Sequence, residues 1–539
     1  MTSYRQPIKN NVREKIISHA VKSMTTQRSN SFLISYAYFT NIYEHFFHLI
    51  NIFLIQNGEQ TVSPDQIKNL TNSWIDKIKT HQVLKKPEEI KVLYLSGPEP
   101  TNDLNVFLNN GILPHNIWAV ESESKEFKEA IHDLQQSGQY IKLHKGSLKE
   151  VFRLVNQTFD IVYFDACTPI LSKDKNPLDI LKELFLNKRL NELSVLITNF
   201  SQPSEQNNDW DKVMAAWFAG RYEDCPSETF ESRFADVEER YANPDKYAEF
   251  VGSTLNEHYS MFIPALIASL GAEIVPSAQL LSMGSVQSRY FWDKSKLGKL
   301  ISEINDIDIS AINDEHDLLS EVPHHMLTPG AYPLMTWIYL TTKLLPNNHP
   351  ILNFYNDLNG SIKISYAIII TELLKRIEES YSGFKTKSRD VCGETLRDLL
   401  LKFDWFDRNL RLTCDTPMKN LLVELIMGLY GFPYIANSDS HLSLTYKAKE
   451  TQMYTDVFVF DQARYMYDLI PSIEFIYEFL DDLNNQIFLR CCIDGIKRKH
   501  IHFNKNLFLW GFIESIGDKR FPLGKSLNRE LLINLEPSQ

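Results

Sequence analysis

Apolar positions in the first 300 residues fall into short continuous runs separated by stretches with helical spacing. Val92-Leu93-Tyr94-Leu95 stops at Ser96, Gly97 and Pro98; Ile117-Trp118-Ala119-Val120 stops at Glu121; Phe159-Asp160-Ile161-Val162-Tyr163-Phe164 stops at Asp165. Runs of this length, with no alternation of polar residues, are what strands covered on both faces require. The spacing predicts strands at 91–96, 116–120, 140–144, 159–164 and 193–199, with helices at about 102–110, 123–136, 147–156 and 177–189 between them. Strands alternating with helices read as a doubly wound α/β domain with a parallel sheet. Its carboxyl edge, where the polar residues Glu121 and Asp165 stand, is where such a sheet holds a ligand.

Either side of this block the period is helical. Residues 1–85 predict helices, including an amphipathic one from Asn11 to Met24 and one capped by Ser63 with Pro64 at its first position. The window 31–55 has nearly the length of a membrane span, but Asn41, Glu44, His45, His48 and Asn51 interrupt it, so a buried helix is expected. Residues 203–254 read as a helical insertion rich in aromatic and charged residues. The α/β pattern is expected to resume with a helix at 261–270 closed by Gly271, then strands at 272–281 and 287–293 joined by a hairpin turn. From 297 to 539 helices dominate, with one exception, a possible β-hairpin at 441–460. This gives three expected regions: a helical one at 1–85, the α/β domain at 86–296 with its insertion, and a mainly helical one at 297–539.

Composition narrows the class. A chain of 539 residues is too long for one core, and 43% hydrophobic with 23% charged residues is ordinary for a globular protein. A net charge of -12 argues against a surface that is wholly a nucleic-acid footprint. The 6 cysteines have no CxxC spacing, which points away from a disulfide framework or a structural zinc site and towards a reducing compartment. Residues 1–7 lack the apolar core of a secretion signal, so a cytoplasmic location is expected. No metal site is expected; the adjacent His324 and His325 project differently and have no carboxylate at ligand spacing.

The succession of five strand-helix units and a closing hairpin whose last strand runs antiparallel resembles the class I S-adenosylmethionine-dependent methyltransferase fold: a Rossmann-like sheet of seven strands, here flanked by N- and C-terminal helical regions. That resemblance implies S-adenosylmethionine as cofactor and an assignment of residues. Gly97 would form the turn after the first strand, where only a residue without a Cβ lets the backbone approach the cofactor. Glu121 would accept both ribose hydroxyls, at about the spacing expected of a ribose carboxylate. Gly146 and Ser147 would face the adenine edge. Asp165 stands where such enzymes place catalytic groups, with Thr168 beside it for substrate. The chain departs from the family's pattern at Tyr94, where an acidic residue is usual, and at Glu99 and Pro100, where glycines are usual. Either Glu99 takes over the ammonium contact from a reshaped loop, or the pocket no longer binds this cofactor well; the alternative function is a methyltransferase-like scaffold or nucleotide-sensing interaction protein without turnover.

Outside the block, Arg221 and Arg240 in the insertion are candidate contacts for anionic substrate groups. Residues 497–520, with Lys497, Arg498, Lys499, His500, Lys505, Lys519 and Arg520 interleaved with Phe503, Phe508, Trp510 and Phe512, form a basic aromatic stretch suited to a phosphate backbone or to a solvated helix face. The size of the helical regions points to a macromolecular substrate, nucleic acid or protein. Cys167 reads as a buried thiol rather than a nucleophile.

Overall fold

In a computed structural model of the chain, the residues described are 7–56, 58–172, 175–203, 209–218, 243–276, 425–498 and 529–532, with isolated positions 278, 295, 334, 337, 338, 341, 345 and 351. Four helices come first: α1 (Pro7–Met24), α2 (Arg28–Ser31), α3 (Tyr36–Gln56) and α4 (Pro64–Lys79). Ser63 caps α4 as expected, in a capping box with Gln66. The apolar window is α3. Its Phe39, Tyr43 and Phe47 are buried, Asn41, Glu44 and His48 are exposed, and Asn51 meets both backbone groups of Val62 (2.9 and 2.8 Å), so the window is a helix with one packed face and one solvent face. No helix among the described residues is long and apolar enough to cross a membrane.

The alternating block follows as β1 (Val92–Leu95), α5 (Thr101–Asn109), β2 (Ile117–Glu121), α6 (Ser124–Ser137), β3 (Lys142–Lys145), α7 (Leu148–Leu154), β4 (Phe159–Asp165), α8 (Pro177–Leu186) and β5 (Leu190–Ser201). These strands pair in parallel in the spatial order β3-β2-β1-β4-β5. Successive residues serve opposite faces: Tyr94, Ile161, Tyr163, Val195 and Ile197 join one core with α1 and α5, while Leu93, Val162, Phe164 and Leu196 join the other with α7 and α8. Two covered faces explain why the strand sequences show no polar alternation.

The closing hairpin is not where the sequence pattern put it. After β5 come α9 (Asp209–Phe218), α10 (Pro244–Ser253) and α11 (Leu255–Ser269), and the chain stays helical through a π-type turn at Leu270–Ile274. The expected strand at 272–281 is therefore helical over its first residues, and the expected strand at 287–293 lies outside the described residues. Gly271 does not end a helix. A Cβ there would meet the Tyr434 carbonyl oxygen at 2.8 Å and the Phe460 ring at 2.9 Å, so the glycine is needed where helix and sheet approach closely.

The sheet is completed instead by the C-terminal hairpin, β7 (Leu442–Ala448) and β8 (Thr451–Asp461), preceded by the two-residue β6 (Ile435–Ala436). The long β8 runs antiparallel to β5 from Leu193↔Asp461 to Ser201↔Met453. β7 lies outside it, and β9 (Glu530–Leu532) pairs with β7 at the edge, giving the order β3-β2-β1-β4-β5-β8-β7-β9. A further helix, α12 (Leu483–Arg498), packs against the N-terminal helices, with Phe488 stacked on Trp74 of α4 at 3.6 Å between ring centroids. The N-terminal helices, the sheet and α12 thus share one apolar core.

Candidate functional site

The carboxyl ends of β1, β2, β3 and β4 bring Gly97, Glu121, Gly146 and Asp165 to one edge of the sheet. At β1, Gly97 adopts a left-handed turn (φ 58), and Ser96 N–H donates to the Val120 carbonyl (3.1 Å). Tyr94 lies fully buried under this turn and its hydroxyl donates to the Pro100 carbonyl (3.0 Å). The residue that replaces the usual acid is therefore a strut beneath the loop. Glu99 accepts from Asn102 Nδ2 (2.9 Å) across the first turn of α5. The same helix start is tied to α6 by Thr101, whose N–H and hydroxyl both donate to Asp133.

Glu121 ends β2 with 7% of its surface exposed. Its Oε1 accepts the Glu123 N–H (2.7 Å), and burial, reinforced by the charges of Glu126 and Glu123, pushes its pKa up. A carboxylate held in a destabilising field by backbone donors of its own turn retains acceptor capacity for incoming hydroxyls. Its backbone carbonyl accepts the Gly146 N–H (3.0 Å), which sets the turn after β3 against the end of β2. At Gly146 a Cβ would meet the ends of the Glu150 and His144 side chains at 2.7 and 2.8 Å, so those side chains would have to move aside to admit one. Ser147 is the N-cap of α7 in a capping box with Glu150, which engages its hydroxyl and N–H locally.

Asp165 is half-buried at the end of β4. Its Oδ1 accepts from Asn199 Nδ2 (2.8 Å) and from the Cys167 thiol (2.8 Å), while Oδ2 has no hydrogen-bond partner among the described residues. Cys167 takes a left-handed conformation (φ 52) and is solvent-exposed, correcting the expectation of a buried residue. Desolvation by the surrounding protein and the Asp165 charge hold the thiol pKa well above its usual range. That leaves it protonated, a donor rather than a nucleophile. Thr168 follows Cys167 directly, its Oγ1 buried with no hydrogen-bond partner among the described residues and its carbonyl accepting the Ser201 N–H (3.2 Å). A buried hydroxyl without a partner, three residues along the chain from a half-satisfied carboxylate, leaves unmet hydrogen-bonding capacity at the end of β4.

Two residues the sequence reading did not single out lie against this site. Arg13 of α1 and Asp103 of α5 form a buried ion pair (2.8 Å). The charge of Asp165 acts on both, as well as on Tyr163 and Tyr446. Burial pushes the Asp103 carboxyl up to about 6, opposed by Arg13 and assisted by Asp165. Only the amphipathic spacing of α1 hinted that it packs on the sheet, and nothing local couples position 13 to position 103. Arg221, Arg240, His324 and His325 lie outside the described residues; of the stretch 497–520 only Lys497 and Arg498, at the end of α12, lie within them. Among the described residues no cluster of His, Cys, Asp or Glu is built to hold a metal.

The five parallel strands in the order β3-β2-β1-β4-β5, closed by an antiparallel β8 between β5 and β7, constitute a class I methyltransferase-like fold with β9 added at its edge. No family model and no curated protein matches the chain. Among solved structures the chain is similar to an S-adenosylmethionine-dependent methyltransferase from Clostridium acetobutylicum, with 18% identity and a TM-score of 0.18 over 24% of this chain and 50% of that one. The chain thus spans half the length of that relative. It is also similar to the plantazolicin methyltransferase BamL, solved in complex with a triazolic desmethylPZN analog and SAH, with 12% identity and a TM-score of 0.18 over 40% of this chain and 76% of that one.

Proposed function

We propose that the carboxyl edge of this sheet binds S-adenosylmethionine and that the chain is a methyltransferase. The observation that carries this reading is Glu121: a buried carboxylate ending β2, one strand from the Gly97 turn, whose hydrogen-bond donors among the described residues are backbone groups of its own turn. When bound, the cofactor supplies an electrophilic methyl group on a sulfonium. Glu121 accepts the two ribose hydroxyls, the open Gly97 turn admits the ligand to the backbone, and Glu99 at the start of α5 offers a carboxylate to the cofactor's ammonium. Asp165, anchored through Oδ1, presents Oδ2 to the acceptor and receives its proton where the acceptor must be deprotonated. Thr168 Oγ1 hydrogen-bonds to the same acceptor.

The substrate we propose is macromolecular, a protein or a nucleic acid. β5 ends at the carboxyl edge, and the next strand among the described residues is β6 at Ile435, with α9, α10 and α11 between them, so the chain that leaves β5 starts from the rim of the crevice. Insertions placed there are positioned to select what enters, with Arg221 and Arg240 as its candidate contacts and 497–520 as a further basic one. A second reading, a methyltransferase-like scaffold that binds nucleotide without turnover, is favoured by Tyr94, whose hydroxyl is spent on Pro100 where a carboxylate is usual.

Calorimetric titration with S-adenosylmethionine tests the site. Binding is expected, and Glu121→Ala should weaken it by about 10- to 100-fold, the loss of one or two charge-assisted hydrogen bonds. No heat at millimolar ligand, or equal binding by the variant, overturns the assignment; heat with ATP or NAD instead names another ligand. Transfer of labelled methyl groups into acid-precipitable cell material, then its sensitivity to protease or nuclease, separates enzyme from scaffold and protein from nucleic acid.

A further inference from the structure

Asp165, Asn199 and Thr455 stand directly opposite one another across β4, β5 and β8, in the registers Asp165↔Asn199 and Asn199↔Thr455. Residues in such a row share one face of the sheet, the face that α1 covers. Asn199 has 2% of its surface exposed. Its Nδ2 donates to Asp165 Oδ1 (2.8 Å) and to the Tyr446 hydroxyl (3.0 Å), and its Oδ1 accepts from Thr455 Oγ1 (2.8 Å). The orientation of the amide is dictated, because an ionised carboxylate only accepts and so must face the NH2 group. Both donors are engaged, and Asn199 has no freedom left once the hairpin is in place.

We propose that Asn199 is a positioning residue which fixes the Asp165 carboxylate, and that this fixing depends on Tyr446 and Thr455 of the C-terminal hairpin. The remaining donor to Asp165, the Cys167 thiol, is too weak a hydrogen-bond donor to hold a half-exposed carboxylate alone. Without Asn199 the carboxylate turns towards water and the acceptor meets an unaligned base. Tyr446 and Thr455 lie 247 and 256 residues beyond the carboxylate's neighbour in sequence, so the site is completed only when the end of the domain docks. The inference rests on reading Asp165 as the group that meets the acceptor.

Cys167 supplies a readout that needs neither cofactor nor acceptor, so failure of the cofactor assignment and failure of this inference are distinguishable. Burial and, after it, the Asp165 charge keep the Cys167 thiol protonated, so removing the charge restores part of its acidity. The rate of Cys167 alkylation by iodoacetamide, followed on its peptide by mass spectrometry from pH 7 to 10, therefore reports the presence of the carboxylate. Asp165→Asn is expected to raise the rate at pH 8 by about tenfold. In an Asn199→Ala background the same change should have less than about a threefold effect, because the carboxylate has already left. Tyr446→Phe and Thr455→Val should weaken the Asp165 dependence in the same direction. The buried Cys491 and Cys492 are internal controls: their protection shows that a variant is folded. If Asn199→Ala exposes them, the single-atom change Tyr446→Phe decides. An equal Asp165 effect with and without Asn199, or with and without the Tyr446 hydroxyl where that variant decides, overturns the proposal.

Discussion

Arg13 and Asp103 show what a residue's context in the chain leaves unsaid. Each reads as an ordinary charge on a helix, yet packing brings them to 2.8 Å in a buried pair beside Asp165. The consequence is a pH dependence. A carboxyl raised from the ordinary 3.8 to about 6 keeps its proton in the folded chain over a range where the unfolded chain has lost it. The folded state then binds more protons, so this group's contribution to stability is fully present below about pH 4 and declines as pH rises to about 6, by on the order of 2 kcal/mol. Asp103→Asn removes the titration while leaving Arg13 an acceptor. Urea unfolding at several pH values between 4.5 and 7.5 should show the stability of the wild type relative to the variant falling up to about pH 6 and level above it; other titrating groups cancel in the difference. A pH-independent difference would refute the assignment. By contrast, Gly97, Glu121 and Asp165 were legible in the sequence, because each is fixed by the end of a strand that its own neighbours specify. Ser147 was legible as the residue ending the turn after β3, but its hydroxyl belongs to the cap of α7.

At the scale of elements, β1 to β5 and the helices between them lie within a few residues of their expected positions, since strand and helix periods alternate cleanly there. The error after residue 270 has a definite cause. A short apolar run after a glycine reads equally as a strand or as part of a fully buried helix, and here α11 is buried on almost all sides. The glycine that suggested a helix end is instead the contact point between that helix and the hairpin, where Gly271 O accepts the Tyr434 N–H (3.0 Å). Gly271→Ala forces a methyl group against the Tyr434 carbonyl and the Phe460 ring, and is expected to cost about 1–3 kcal/mol, seen as a fall of a few degrees in Tm. An unchanged Tm would mean that the helix and hairpin have room to separate.

For the whole molecule the decisive fact is that the sheet is discontinuous in sequence. β5 would present a 12-residue edge without β8, and an open edge of that length pairs with other chains. Removing residues 441–461 should therefore give aggregated protein without cooperative unfolding, as read by size-exclusion chromatography and thermal melts. A monomeric, cooperatively folding product would show that the N-terminal strands form a domain on their own. The same hairpin carries Tyr446 and Thr455 to Asn199, so completion of the sheet and completion of the candidate site are one event.

By itself the sequence determined the α/β class, the five parallel strands, and the residues that end them at the carboxyl edge, because strand period, turn residues and caps are local properties of neighbouring positions. Only the tertiary structure decided which hairpin closes the sheet, which helix lies over Asp165, and which side chains hold its carboxylate. Those choices depend on pairing across hundreds of residues, where two apolar hairpins are equivalent in pattern and are told apart only by the surfaces they bury.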